Sequence, residues 1–185
     1  MKTLILNGSP RKNGDSRFII DALTKALKGE IILINVYDEK VSPCIDCRYC
    51  WKENDCAIKD DMSKTYDLMN EVDNVILSSP IYFSELSGPL LSYVSRFQRY
   101  YAQKVLRADP NFYMKPKKGL ILLSAGDDLS NLERPIKTAK IILGMINTKS
   151  LGVIATVQTN EIPAKEDKTL DQKIIDMAKL LNSAE

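Results

Sequence analysis

The stretch Lys2-Thr3-Leu4-Ile5-Leu6-Asn7-Gly8-Ser9-Pro10-Arg11-Lys12-Asn13-Gly14-Asp15-Ser16 decides the fold. Its first six residues form a short run centred on leucine and isoleucine, of strand length. Two Asn-Gly pairs and a proline then break the chain with turn chemistry. Helical periodicity follows over residues 15–28, with Asp15 or Ser16 able to cap the start and Gly29 placed to end it. The segment is therefore a strand, a tight polar turn and a helix.

The same unit recurs outward along the chain. Further strands are expected over residues 30–36, 74–79, 119–124 and 150–157, and further helices over 60–72, 87–101, 132–146 and 167–182. In the helix at 87–101, Pro89 sits where a first-turn proline is tolerated, and Leu90, Val94, Phe97 and Tyr101 are expected to share one buried face. Strands that are apolar on both faces belong in a parallel sheet covered by helices on each side. Five β–α units with right-handed crossovers predict a three-layer αβα, doubly wound, five-stranded parallel sheet in the flavodoxin-like order 2-1-3-4-5. Eight units for a barrel are not available. The 185 residues carry no internal repeat or linker, so residues 1–185 read as one domain.

Composition narrows the chemistry. There is no histidine, which excludes Ser-His-Asp and Cys-His nucleophile systems, His-ligated zinc or iron, and imidazole acid–base catalysis. The formal charge of +2 names no polyanionic partner. No run approaches the ~20 apolar residues of a membrane-spanning helix, and the start is too short and polar for a signal peptide. A cytoplasmic location without membrane or nucleic-acid partners is therefore expected. There, four cysteines are more often metal-binding or redox-active than disulfide-bonded.

In open α/β sheets, ligands sit beyond the carboxyl ends of the strands, where strand order reverses. The turn at that point lacks both a P-loop and a dinucleotide fingerprint. It does offer the hydroxyls of Ser9 and Ser16, the Asn13 amide, the Arg11 cation and free N–H groups at a helix start, all of which suit a terminal phosphate. An ordinary strand–turn–helix connection explains the same residues. At the same sheet edge, Ser79-Pro80-Ile81-Tyr82-Phe83-Ser84 offers an apolar, aromatic wall. The loop Ala125-Gly126-Asp127-Asp128 allows close backbone approach at Gly126. The three together suit a phosphorylated planar cofactor such as FMN. Flavin chemistry requires no catalytic side chain, and none is nominated.

All four cysteines fall within thirteen residues, as Cys44, Cys47, Cys50 and Cys56 in the pattern C-x2-C-x2-C-x5-C. Overlapping x2 spacings favour a [4Fe–4S] cluster over structural zinc, which usually takes two separated C-x2-C pairs. Zinc, free thiols and a redox disulfide are the alternatives. From Arg96 to Lys118, seven basic residues meet one acid and are interleaved with Tyr100, Tyr101, Phe112 and Tyr113. This basic–aromatic connection, at 97–118, reads as a solvated helix end plus a connection whose aromatics pack on the fold or on another subunit, or as a docking surface for an acidic electron carrier or a nicotinamide phosphate.

Residues 6–16 and the run Ser78-Ser79-Pro80-Ile81-Tyr82-Phe83 resemble the phosphate loop and flavin-ring loop of the NADPH-dependent FMN reductase family. The cysteine segment followed by Ile58-Lys59-Asp60-Asp61-Met62 is similar to that family's iron–sulfur flavoprotein branch. The likeness covers roughly residues 1–130. It implies that Ser9, Arg11, Asn13 and Ser16 hold the FMN phosphate, that Pro80, Ile81, Tyr82 and Phe83 contact the isoalloxazine, and that Ala125 and Gly126 lie at its other edge. It also implies a compact [4Fe–4S] motif and an FMN-dependent oxidoreductase passing electrons to a quinone, an oxygen species, another flavin or ferredoxin. Rival readings are a cluster-free NAD(P)H-dependent FMN or quinone reductase and a non-catalytic, zinc-stabilised interaction module. A homodimer or homotetramer is expected, because the aromatic connection is too apolar to lie bare. A receiver domain needs acids where Asn7 and Ser79 stand. A low-molecular-weight phosphatase needs an Arg at a spacing that follows none of these cysteines.

Overall fold

A computed structural model describes residues 1–128, 130 and 132–183. Five parallel strands form the main ladder: β1 Lys2–Asn7, β2 Glu30–Asn35, β3 Asn74–Tyr82, β5 Lys117–Ser124 and β6 Thr148–Thr156. Their order is β2-β1-β3-β5-β6, the doubly wound order expected. A sixth strand was not anticipated: β4, Glu85–Leu86, pairs antiparallel with the end of β3, Ile81 opposite Leu86 and Tyr82 opposite Glu85. The expected strand at 74–79 therefore runs three residues further. Pro80 is tolerated there because the β1 pairing ends at Ser78 and Pro80 stands at the last position of the β5 ladder.

The two faces of the sheet bury separate cores, and strand alternation sorts the side chains. Leu4, Leu6, Val75, Leu77, Ile121 and Leu123 point to one face. There they meet α2 Met62–Leu68, α3 Gly88–Val94, α4 Gln98–Tyr101 and α5 Glu133–Met145. Ile5, Ile76, Leu120 and Leu122 point to the other, against α1 Asp15–Ala26 and α6 Thr169–Asn182. This two-sided burial explains why β1 and β3 read as unbroken apolar runs.

Helix ends depart from expectation in three places. Gly14, not Asp15 or Ser16, is the N-cap of α1, and no side chain caps it. Asp15 Oδ1 instead accepts the Ala164 amide at 2.8 Å, tying α1 to the chain after β6. The helix expected at 87–101 is divided: after α3, residues Ser95–Phe97 tighten into a 3-10 turn before α4. That tighter winding carries Tyr100, rather than Tyr101, onto the buried face beside Leu90, Val94 and Phe97. The chain then continues as a π-turn over Ala102–Leu106.

Candidate functional site

The three loops singled out by sequence meet at the carboxyl edge of the sheet, and specific bonds hold them there. The Gly8 amide donates to Ser78 O at 2.8 Å, fastening the first loop to β3. Ser16 Oγ and Ser124 Oγ lie 2.7 Å apart and share a hydrogen bond, fastening the start of α1 to the end of β5. Asn7 Nδ2 donates to Asn35 Oδ1 at 2.9 Å, adding the end of β2. Gly8 is required by crowding: a Cβ there would stand 2.6 Å from Ser87 Oγ and 2.7 Å from Leu90 Cβ.

Within the first loop, the Ser9 amide donates to Asn7 Oδ1 at 3.1 Å and Ser9 Oγ accepts the Arg11 amide at 3.3 Å. Ser9 and Ser16 are buried, whereas Arg11 and Asn13 are exposed. Arg11 and Asn13 face a cavity of about 510 Å³ that also meets Gly14, Phe18, Thr159 and Lys165. A second, smaller cavity of about 190 Å³ lies on the Ser9–Lys12 side and reaches Asn35 and Tyr37. The start of this twelve-residue helix and the exposed Arg11 guanidinium present positive potential here, while the Ser9 and Ser16 hydroxyls are buried and bonded within the protein.

The aromatic loop is shaped by backbone strain. Phe83 and Ser84 hold consecutive left-handed conformations, φ +52° and +57°, at the β3–β4 reversal. Phe83 is thereby held fully in solvent, and Tyr82 is 44% exposed. Pro80 and Ile81 are half-buried. Ser79 Oγ accepts the Ser87 amide at 2.9 Å, which ties the base of this loop to the start of α3. On the far side, Ala125 is buried, its amide donating to Thr156 O at 2.9 Å. Gly126 faces the Asn160 amide, 2.6 Å from where a Cβ would be.

The cysteine loop follows β2, on the same sheet edge. All four thiols border one cavity of about 420 Å³, together with Arg48, Trp51, Arg96 and Arg99. None forms a disulfide; Cys44 and Cys47 are exposed, Cys50 and Cys56 half-buried. Burial, and then the neighbouring Cys44, push the Cys50 thiol up. As a donor set, four thiolates suit either an iron–sulfur cluster or zinc, both of which take soft sulfur ligands. Among the described residues, however, no three His, Cys, Asp or Glu side chains are gathered closely enough to hold a metal ion.

The basic connection is not the free surface expected. Arg96 is buried and paired with Asp60, Nη1 to Oδ2 at 2.7 Å. Arg99 donates to Asn54 O at 2.8 Å and lies over the Tyr66 ring, 4.2 Å from its centroid. Arg107 contacts Lys52 O and Asn54 Oδ1. Lys115 pairs with Asp73, Lys117 is buried on backbone carbonyls, and Lys118 reaches Ser183. These charges are spent within the fold, most of them on the cysteine loop or the strand starts. Of the aromatics, Tyr100 is buried edge-on against Tyr66, while Tyr113 stays 69% exposed.

Sequence reasoning missed the segment after β6. Thr159 donates its amide to Ala125 O at 3.1 Å, and Gln158 to Asp127 O at 2.9 Å, so residues 157–165 close one side of the edge. The only available signal was position, since any loop following a strand of a doubly wound sheet ends at this edge. The Arg96–Asp60 pair was also missed, because its partners are thirty-six residues apart.

A doubly wound parallel sheet with a polar helix-start loop, an aromatic loop and a small-residue loop at one carboxyl edge defines a flavodoxin-like α/β protein. More particularly, the chain belongs to the NADPH-dependent FMN reductase family of flavin-dependent oxidoreductases, whose profile matches residues 1–158. It is 29% identical to an iron–sulfur flavoprotein of Methanosarcina thermophila, over 98% of this chain and 93% of that one. It is 26% identical to an iron–sulfur flavoprotein of Archaeoglobus fulgidus, over 96% of each. Among solved structures, it shares its fold with an NAD(P)H:quinone oxidoreductase from Methanothermobacter marburgensis (TM-score 0.71, 14% identity, 100% and 98% covered). The same holds for an FMN-dependent NADH-azoreductase of Bacillus anthracis in complex with FMN (TM-score 0.67, 15% identity, 99% and 100% covered). No helix among the described residues is long and apolar enough to cross a membrane.

Proposed function

We propose that this protein is an FMN-dependent electron-transfer oxidoreductase of the iron–sulfur flavoprotein kind. The observation that carries the reading is the convergence of three loops at one sheet edge, fastened by the Gly8–Ser78 and Ser16–Ser124 bonds. In this reading Ser9, Arg11, Asn13 and Ser16 hold the FMN phosphate at the start of α1, where dipole and cation act together. Pro80, Ile81, Tyr82 and Phe83 bed the isoalloxazine, and Ala125 with Gly126 borders its other edge. The exposed Phe83 and Tyr82 then exclude water from one ring face. Cys44, Cys47, Cys50 and Cys56 ligate a [4Fe–4S] cluster, which requires the 44–56 loop to draw its thiols inward on loading. Bound flavin and cluster supply the redox chemistry; the protein supplies grip, orientation and dryness.

Electrons come from NAD(P)H or ferredoxin and leave to a small acceptor such as a quinone, an oxygen species or another flavin. Val105, Leu106 and Tyr113, all exposed, favour a homodimer or homotetramer. Sedimentation at micromolar concentration tests that, and a monomer overturns it. The test of the main reading is anaerobic purification followed by a visible spectrum, with iron, sulfide, zinc and flavin analysis. About one FMN and four iron per chain are expected for a flavin with one such cluster. No flavin, and no binding of added FMN, overturns the assignment.

One observation favours a second reading, a cluster-free NAD(P)H-dependent FMN or quinone reductase: the thiols share a cavity without forming a ligand set. Quinone-dependent NADPH oxidation that is the same in a Cys47→Ser variant as in the parent decides for it. Stoichiometric zinc without flavin would instead indicate an interaction module.

A further inference from the structure

The cysteine loop lacks a scaffold of its own. Between β2 and α2 its regular structure is the short 3-10 turn Tyr49–Trp51, preceded by left-handed Asp46 and Arg48. Yet its two ends are brought to one point. Arg96 Nη1 donates to Ser42 O at 2.9 Å, and Arg96 Nη2 donates to Ile58 O at 2.9 Å. Those acceptors lie two residues before Cys44 and two residues after Cys56. Asp60 completes the arrangement: its Oδ2 takes Arg96 Nη1 at 2.7 Å and the Ser42 amide at 2.9 Å. Burial works against the Asp60 charge, but Arg96 and two backbone amides more than offset it, so its carboxyl stays below the usual range. The Arg96 side chain is 1% exposed, which makes the fork dry and its geometry exacting.

Three further straps run from the same stretch of turns. Arg99 holds Asn54 O, and Arg107 holds Asn54 Oδ1, both just before Cys56. Ser95 Oγ accepts the Cys44 amide at 2.9 Å. The run of turns carrying these groups begins with α3 beside the aromatic loop, where the Ser87 amide is bonded to Ser79 Oγ and Gly8 leaves room for Leu90. One continuous run of turns, from α3 through the 3-10 turn to α4 and the π-turn, therefore touches the flavin-loop residues at its start and grips the cysteine loop further along.

We infer that Arg96, seconded by Arg99 and Arg107, is a positioning residue that closes the base of the cysteine loop and fixes it relative to the β3–β4 loop before any metal is bound. The role deepens the proposed function, because it assigns the grip on the loop read there as the cluster site. Lysine cannot replace the fork, since a single ammonium cannot reach both carbonyls and the carboxylate in one plane.

The experiment compares wild type, Arg96→Lys, Arg96→Met, Arg99→Met and Arg107→Met as full-length, FMN-loaded, iron-free protein. Amide hydrogen exchange is read by mass spectrometry, and the alkylation rates of the four thiols by iodoacetamide. In Arg96→Met, exchange over residues 42–60 is expected to rise about ten-fold or more, since each lost bond to a guanidinium weakens local closure by about that factor. The α1, β1 and β5 segments should be unchanged, and Arg96→Lys should fall between wild type and Arg96→Met. Arg99→Met and Arg107→Met should loosen only residues near 52–56, and they test the same claim if Arg96→Met fails to fold. Unaltered loop exchange, full rescue by lysine, or an equal rise across the whole chain would overturn it. Anaerobic reconstitution with iron and sulfide is run in parallel. If wild type takes up no iron, the cluster reading fails, while the exchange data still decide the clasp.

Discussion

Gly8 and Gly126 show how similar residues at one site answer to different forces. A methyl group at Gly8 meets the first atoms of Ser87 and Leu90, which are anchored to the helix start, at 2.6 and 2.7 Å. Gly8→Ala is therefore expected to lower unfolding stability by about 1–3 kcal/mol, the usual cost of overpacking. At Gly126 the nearest obstacle is the terminal amide of Asn160, a side chain that can swing away. Gly126→Ala should stay within about 0.5 kcal/mol of the parent, as surface changes usually do. Urea unfolding of both variants checks the pair, and equal losses would refute the crowding argument at Gly8. Arg11 supplies a different test, because its side chain is exposed and its backbone alone is bonded within the loop. Arg11→Ala should weaken FMN binding about ten-fold by removing one charged hydrogen bond. The melting temperature of the flavin-free protein should be unaltered. Fluorescence titration with FMN and a thermal scan separate the two.

At the scale of elements, β5 begins on a buried lysine. Lys117 is 2% exposed, and its ammonium donates to Met69 O at 3.1 Å and Lys115 O at 2.7 Å, both neutral acceptors. Burial, and then the Lys115 charge, lower its pKa to about 8. The unfolded chain keeps this proton until about pH 10.4. Between those values the unfolded state binds more protons than the folded one, so this group adds stability as pH rises through the window and adds none below it. Cys50 and Tyr66 are shifted upward on folding and act in the opposite sense. The difference between wild type and Lys117→Met isolates the lysine. Urea unfolding at two pH values, one on each side of 8, should show wild type gaining relative to the variant at the higher one. Parallel pH profiles would remove Lys117 from the account. The division of α3 from α4 is legible only at this scale. Composition favours one continuous helix, yet the 3-10 turn at Ser95–Phe97 lets Arg96 face the cysteine loop while Tyr100 enters the core.

Across the whole molecule, the site is an edge where five strand ends are tied together, so a ligand there should stabilise the entire fold. At one hundred times its dissociation constant, FMN should add about 2.7 kcal/mol. For a chain of this length that corresponds to a rise in melting temperature of roughly 5–10 °C. Thermal scans with increasing FMN check it, and a flat response contradicts the proposed function. The basic connection carries little free charge, because Arg96, Arg99 and Arg107 turn back onto cysteine-loop carbonyls, Lys115 onto Asp73 just before β3 and Lys118 onto the end of α6.

By itself, the sequence determined the layers, the strand order and which loops reach the carboxyl edge. Those follow from apolar period, turn residues and the handedness of crossovers, all of which act over a few residues or on every β–α unit alike. The resemblance of residues 6–16 and 78–83 likewise pointed to the right family. Only the tertiary structure decided the short β4, the displacement of the buried tyrosine, the closure of the edge by residues 157–165 and the inward turn of the arginines. The closure of the edge and the inward arginines depend on contacts between segments far apart in the chain, such as Arg96 with Asp60 or Asp15 with Ala164, whereas β4 and the tyrosine depend on local reversals and turns that composition does not mark. Charge and composition report how many such groups exist; where each one is spent is settled when burial leaves a carbonyl or carboxylate needing a donor.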